Sequence, residues 1–198
     1  SFVAIFCLLM VNPFYLQYTM KYTPAFTGLL MMFYSVILTL AALFSGVLSD
    51  KIGSELLILI GLITMGIGFF LMTILSISTP ISVFLVLVAI IGFGAGLFQS
   101  PNNSLVMSTV SKDKLGIAGS INALVRNLGM VFGISLSTTL LYSLMSKKIG
   151  YHVTGYIEGR DDIFIYGMRY VYITAGILCM IGAVITFMRF HNSKVKHF

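Results

Sequence analysis

The sequence predicts an all-α integral membrane protein of six transmembrane helices. Three observations carry that prediction. Of the 198 residues, 58% are hydrophobic and only 9% charged, with a mean hydropathy of +1.02. A soluble domain carries about 25% charged residues, so this chain lacks the charge to cover a water-facing surface. Six apolar stretches reach the roughly 17–25 residues that cross a bilayer: 2–18, 25–48, 56–78, 81–110, 117–145 and 170–188. The charges fall almost entirely in the breaks between them.

The same composition excludes disorder, coiled coil and small disulfide scaffolds, which need polarity or cysteine. The net charge of +6 and pI near 9.4 do not indicate nucleic acid here. Basic residues at helix ends hold cytoplasmic loops against anionic lipid. The two cysteines, Cys7 and Cys179, sit inside apolar runs and read as small buried hydrophobes. No metal-ligand spacing, catalytic set or cofactor motif is present. The apolar run begins directly after Ser1 with no charged leader, and a further segment is expected upstream.

Each stretch has its own polar content. Stretch one holds Asn12, Pro13 and Gln17. Stretch two offers only hydroxyls, Ser35, Thr39 and Ser45, and leads into the turn Gly46-Val-Leu-Ser-Asp50-Lys51-Ile-Gly53. In that turn Asp50 is expected to cap the next helix, and Gly53 to permit a left-handed backbone. Stretch three has no amide or charge. Stretch four carries Gly92-Phe-Gly-Ala-Gly96-Leu-Phe-Gln99-Ser-Pro101-Asn102-Asn103-Ser104. Gly92 and Gly96 are spaced to let a neighbouring backbone approach, and Pro101 interrupts the helix between amides. Stretch five repeats Gly119, Asn122, Arg126, Gly129, Gly133 and Ser137 at three- and four-residue steps, one helical face of small and polar groups, with Asn127 beside it. Residues 146–169 read as a long loop. Stretch six again lacks amides, and 191–198 reads as a cytoplasmic tail.

Unpaired polar groups are penalised in lipid. Helices one, four and five should therefore face an interior or a cavity, and three and six should face lipid. This period of three suggests two helix triplets, as in transporters built from repeats. Asn12-Pro13 and Pro101-Asn102, each in the first helix of a triplet, hint at the repeat.

Arg126 lies about 15 Å along its helix if that helix enters near Gly116. An arginine at such depth costs at least about 2.5–3.5 kcal/mol, so something must offset it. The six stretches contain no Asp or Glu. Water in a cavity, backbone carbonyls, an anionic ligand group or a carboxylate outside this chain would serve, and a latch to another half of the protein is an equal reading. Basic residues divide six against five between the two sides, with Lys51, Lys112, Lys114, Arg189, Lys194 and Lys196 on the side of the C-terminus. The positive-inside rule then favours a cytoplasmic C-terminus.

Gly46-x-x-x-Asp50-Lys51-x-Gly53 resembles the loop signature of the major facilitator superfamily. The Ser100-Pro-Asn-Asn-Ser104 run and Gly116-x-Ala-Gly119…Arg126-Asn127-x-Gly129-x-x-x-Gly133 resemble its fourteen-helix drug:proton antiporters, the EmrB/QacA type. Tyr15-Leu-Gln17 and Gly28-Leu-Leu are similar to that branch's second half. Ser54-Glu55 depart from it, because the signature usually continues with basic residues.

The resemblance implies a C-terminal six-helix half of a major facilitator fold, two inverted three-helix repeats with both termini cytoplasmic in a plasma membrane. It implies a cavity lined by helices one, two, four and five, and a missing N-terminal half that holds the proton-coupling acids. Its activity would be proton-coupled export of amphipathic drugs or metabolites by alternating access, without cofactor or metal. Asn12, Tyr15, Gln17, Gln99, Asn102, Asn103, Asn122, Arg126 and Asn127 are the substrate-cavity candidates. Gly46, Asp50, Lys51, Gly53, Gly92, Gly96, Pro101, Gly129 and Gly133 are the structural or gating set. Expected partners are the bilayer, a small amphipathic substrate, protons and the missing half, not nucleic acid. The alternative is a truncated or non-transporting membrane protein that acts as an assembly partner. An enzyme is disfavoured, because the helices hold no histidine and no nucleophile–base pair.

Overall fold

A computed structural model describes residues 1–195, without the side chains of 191–195. Among the described residues the structure is all helical, and six helices are long and apolar enough to cross a membrane. They are α1 (Phe2–Phe14), extended by a π-helical turn (Tyr15–Thr19), α2 (Pro24–Ile52), α3 (Ser54–Met72), α4 (Ile81–Ser108), α5 (Leu115–Ile149) and α6 (Asp161–Val195).

The helix boundaries follow local chemistry. The π turn begins two residues after Pro13, which has no N–H for the helical ladder, and Met20 N–H bonds to Tyr15 O at 3.0 Å across it. Thr23 caps α2, its Oγ1 accepting from Phe26 N–H, with Pro24 in the first turn, where its missing N–H loses no bond. Gly53, at φ 90°, is the single residue that turns α2 into α3. Asp50 does not cap α3. It lies exposed in the last turn of α2, and Gly53 holds the N-cap position with no side-chain cap. The α2 hydrogen-bond ladder runs through Asp50 to Ile52, with Gly53 N–H bonded back to Ser49 O, so Asp50 is a helical residue of α2 and not in the cap position of α3.

Two other boundaries differ from the sequence reading. Helix three ends at Met72, and residues 73–80 form turns in which Ser76 N–H donates to Thr79 Oγ1 at 2.8 Å. Helix six starts at Asp161, so the long loop shrinks to the residues after Gly150. Asp161 and Asp162 occupy its first turn, where the helix dipole favours acid. Of the expected 191–198 tail, residues 191–195 continue α6, and 196–198 lie outside the described residues.

The packing is two-fold. α4 packs against α2 and α3, α1 packs against α5 and α6, and α3 packs against α6. Exchanging α1 with α4, α2 with α5 and α3 with α6 maps each of these contacts onto another or onto itself. Three helices per unit is an odd number, so the two triplets run in opposite directions through the membrane.

Close backbone approach sets the two parallel pairs. A Cβ on Gly96 would meet Ala41 Cβ and Leu38 O at 2.5 Å, and one on Gly92 would meet Tyr34 O at 3.0 Å. In α5, a Cβ on Gly129 would meet Phe2 Cβ at 2.5 Å, and one on Gly133 would meet Val3 O at 2.6 Å. Each pair adds an inter-helix hydrogen bond: Ser45 Oγ donates to Gly96 O at 3.0 Å, and Cys7 Sγ to Gly133 O at 3.4 Å.

Helices three and six are not simply peripheral. Each buries one face, with Met65, Phe69 and Met72 of α3 and Met168, Tyr172, Ala175 and Cys179 of α6 inside the main core. Their opposite faces expose Ile67, Phe70, Ile177, Ile181, Val184 and Ile185. The helices with the most open surface are α2 and α5: Met32, Val36, Leu43 and Phe44 of α2 and Ile121, Leu124, Leu128 and Phe132 of α5 are exposed. Polar content alone does not separate lipid-facing from interior helices, because every helix has two faces.

Candidate functional site

The candidate site is built by two helical rows that face each other. Gln99 and Asn103 are one turn apart on α4, and Asn122 and Arg126 are one turn apart on α5, so each pair shares a face. The rows meet where Asn122 Nδ2 donates to Asn103 Oδ1 at 2.8 Å. Together with Phe2, Gly119 and Ala123 they enclose a polar cleft of about 130 Å³. Phe2 closes one wall, its ring edge-on to Phe98 with centroids 6.3 Å apart. Gly119 is not required by packing, since a Cβ there would meet only Met107 Cε at 3.7 Å.

Pro101 sits between Gln99 and Asn103 in a continuous α4, and its own side is buried. It cannot donate to the carbonyl one turn back. The helix bears this interruption because the surrounding α4 residues, Ala95 to Phe98, are packed against α2 and α3.

Arg126 is exposed at the cleft. The ion pairs among the described residues are Arg160 with Asp162 at 3.2 Å and Arg189 with Glu55 at 3.4 Å, and neither involves it. The cleft therefore presents a guanidinium fork, which only donates, beside three amides, which donate and accept. Such a set suits a ligand group rich in acceptors. None of the lining side chains is a carboxylate or histidine, so the cleft holds no group that exchanges protons near neutral pH.

The structure brings together Gln99, Asn103, Asn122 and Arg126 and leaves the other cavity candidates elsewhere. Asn12 is fully buried in the core, where the Tyr172 hydroxyl donates to its Oδ1. Tyr15 is also in the core. Its hydroxyl donates to Ser76 O at 2.9 Å and its ring stacks on Phe84. Both point into the bundle core between the triplets rather than to an open cavity: Asn12 meets α6, and Tyr15 meets α4 and the turn before it. Gln17 is half-buried on the π turn, Asn102 is half-buried outside the cleft, and Asn127 is exposed on the next row of α5.

The loop-signature residues are split. Gly46 lies against Ser100 Oγ, 3.3 Å from where a Cβ would stand, while Asp50 and Lys51 are exposed. Glu55, the departure from the signature, ties the start of α3 to Arg189 of α6. Sequence reasoning missed Phe2 as a cleft wall and Tyr172 as the partner of Asn12. Both are apolar-run residues with no local signal, and only tertiary contact identifies them.

Residues 1–197 match the Major Facilitator Superfamily. The chain is 30% identical over 186 residues to the riboflavin transporter RibZ of Clostridioides difficile, covering 93% of this chain and 40% of that protein. It is 30% identical over 138 residues to the multidrug transporter protein MdtP of Bacillus subtilis, covering 70% and 25% respectively. It is 28% identical over 152 residues to the multidrug resistance protein Stp of Mycobacterium tuberculosis, covering 77% and 28%. The chain thus spans well under half the length of these relatives.

Proposed function

Because this chain belongs to the major facilitator superfamily, we propose that it is one six-helix half of a secondary transporter, the C-terminal half of a fourteen-helix exporter of the drug:proton antiporter type. The observation that carries this reading is the cleft of Gln99, Asn103, Asn122 and Arg126, formed between α4 and α5 beside the bundle's most open face. A second half covering the exposed apolar surfaces of α2 and α5 would close that cleft into a central cavity. Related multidrug transporters of two bacteria support export; the similarity to a riboflavin transporter supports carriage of a planar, acceptor-rich metabolite equally well.

The substrate of this reading is amphipathic. Its polar end carries hydrogen-bond acceptors for Arg126 and the amides, and its apolar body lies against the exposed apolar faces of α2 and α5. Desolvation inside the closed cavity strengthens those contacts, and opening to the other side releases them to water. Proton coupling falls to acidic groups in the other half, since the cleft has none. The C-terminus is then cytoplasmic, and the protein resides in the plasma membrane.

The test uses the full-length protein in inverted membrane vesicles, with a fluorescent amphipathic dye as probe and an imposed proton gradient. Dye uptake that collapses on adding a protonophore, and that falls to the level of empty vesicles in Arg126→Ala at equal protein abundance, is the expected result. Wild-type uptake by Arg126→Ala overturns the role of the cleft. Uptake indifferent to the protonophore overturns proton coupling.

A further inference from the structure

The lipid-side face of α6 carries a feature that the transport reading does not use. Near its start, Tyr166, Arg169 and Asp162 of α6, Lys148 from the end of α5, and Ser76 and Ser78 line a pocket of about 390 Å³. The Asp162 carboxylate interacts with Lys148 as well as pairing with Arg160 at 3.2 Å, so one carboxylate is shared among the cations around it and the lining stays net positive. Lys148 Nζ stands 4.5 Å over the Tyr166 ring, which fixes the ammonium at the rim. The Lys148 and Arg169 side chains are both exposed. The pocket therefore has an uncompensated positive charge and several hydrogen-bond donors.

Further along the same helix is a second concavity of about 300 Å³ with a wholly apolar lining, formed by Phe70 of α3 with Ile177, Met180, Ile181, Val184 and Ile185 of α6. The two are in line. Tyr166, Arg169, Ile173, Ile177, Met180 and Val184 recur at steps of three and four residues, one continuous stripe on α6. From Ile173 to Val184 that stripe runs roughly 16 Å, one leaflet's share of a hydrocarbon core of about 30 Å. Tyr166 and Tyr170, packed edge to face with centroids 5.0 Å apart, mark the interface level where tyrosines concentrate.

We propose that the α3–α6 groove binds one anionic phospholipid, its phosphate held by Lys148 and Arg169 and an acyl chain laid along Phe70, Ile177, Ile181 and Val184. Charge selects the occupant: with the C-terminus cytoplasmic the pocket lies at the outer leaflet, where an Arg and a Lys favour a headgroup with a net-negative phosphate, and the groove below accepts only hydrocarbon. Lys148 shares α5 with the polar cleft but lies roughly 33 Å of helix beyond Arg126, so a substrate in the cleft does not compete for the site. By bridging the end of α3 to the start of α6, the lipid would hold the two triplets together at that end of the bundle.

Native mass spectrometry of the full-length detergent-purified protein tests this. It is incubated separately with phosphatidylglycerol, with phosphatidylcholine of the same chains, and with glycerol phosphate as the headgroup alone. The expected result is one retained phosphatidylglycerol, little phosphatidylcholine, and no displacement by glycerol phosphate. Retention should fall about tenfold or more in Lys148→Gln/Arg169→Gln, and Ile181→Trp, which fills the groove without touching the charges, should lower it as well. If the double variant does not purify, each exposed single variant is read instead. Wild-type retention in the charge variants, or equal retention of phosphatidylcholine, overturns the headgroup assignment. Displacement by glycerol phosphate, or wild-type retention in Ile181→Trp, overturns the lipid reading in favour of a site for free phosphate.

Discussion

Tyr172 of α6 donates its hydroxyl hydrogen bond to Asn12 of α1 across the centre of the bundle, and both side chains are closed off from the outside. The Asn12 Nδ2 end has no partner of its own, so the amide depends on this single bond. Tyr172→Phe should lower stability by about 1 kcal/mol, read as a drop in melting temperature in detergent. Adding Asn12→Leu to it should recover part of the loss, because removing both partners leaves no orphaned polar group. A single variant as stable as wild type would show that the bond contributes nothing.

The glycine contacts separate two kinds of position. Gly96→Ala pushes a methyl to within 2.5 Å of Leu38 O on the facing helix, and overpacking of this kind costs about 1–3 kcal/mol. Gly116 has open space around it, so Gly116→Ala should stay within about 0.5 kcal/mol of wild type. Thermal unfolding of the two variants side by side measures the contrast, and equal melting temperatures would mean that α2 and α4 separate easily.

Asn103 and Asn122 share one hydrogen bond at 2.8 Å, so their effects on transport should not add. Asn103→Ala and Asn122→Ala should each reduce dye uptake in vesicles, and the double variant should be little worse than the more damaging single one. Additive losses would place the two amides in separate tasks. Arg126→Lys keeps the charge but loses the planar fork, and it should retain only part of the uptake if the guanidinium makes bidentate contact.

Tyr156, in the loop before α6, gives a signature at high pH. Burial first, then its hydrogen bond to Asp161 and the negative charges of Asp161 and Glu158, hold its phenol well above the ordinary value of 10.0. A group with a raised folded pKa contributes stability that is complete below its unfolded pKa and is lost as pH climbs through the folded one. Stability should therefore decline from about pH 10 upward. Tyr156→Phe should flatten that limb of a melting-temperature profile, and an unchanged slope would assign it to other groups.

The glycine spacing in α4 and α5 was legible because close helix approach in lipid demands small residues at one-turn intervals. The repeat was not legible residue by residue, and the contacts explain why. In the α2–α4 pair the glycines belong to α4, but in its symmetry mate, α5–α1, they belong to α5 and not to α1. The packing repeats while the residues that enable it change sides. Likewise Gln99, Asn103, Asn122 and Arg126 were readable as polar groups at membrane depth, but not which of the polar candidates meet.

The sequence by itself determined the membrane class, the number of spans, the small-residue stripes and the identity of the polar side chains, since each follows from transfer free energy and helical period along one chain. Only the tertiary structure decided that Asn12 and Tyr15 are core pins while Asn103 and Asn122 face one another. A side chain's period sets its face on a helix. What that face meets depends on how six helices rotate and pair, which no single stretch encodes.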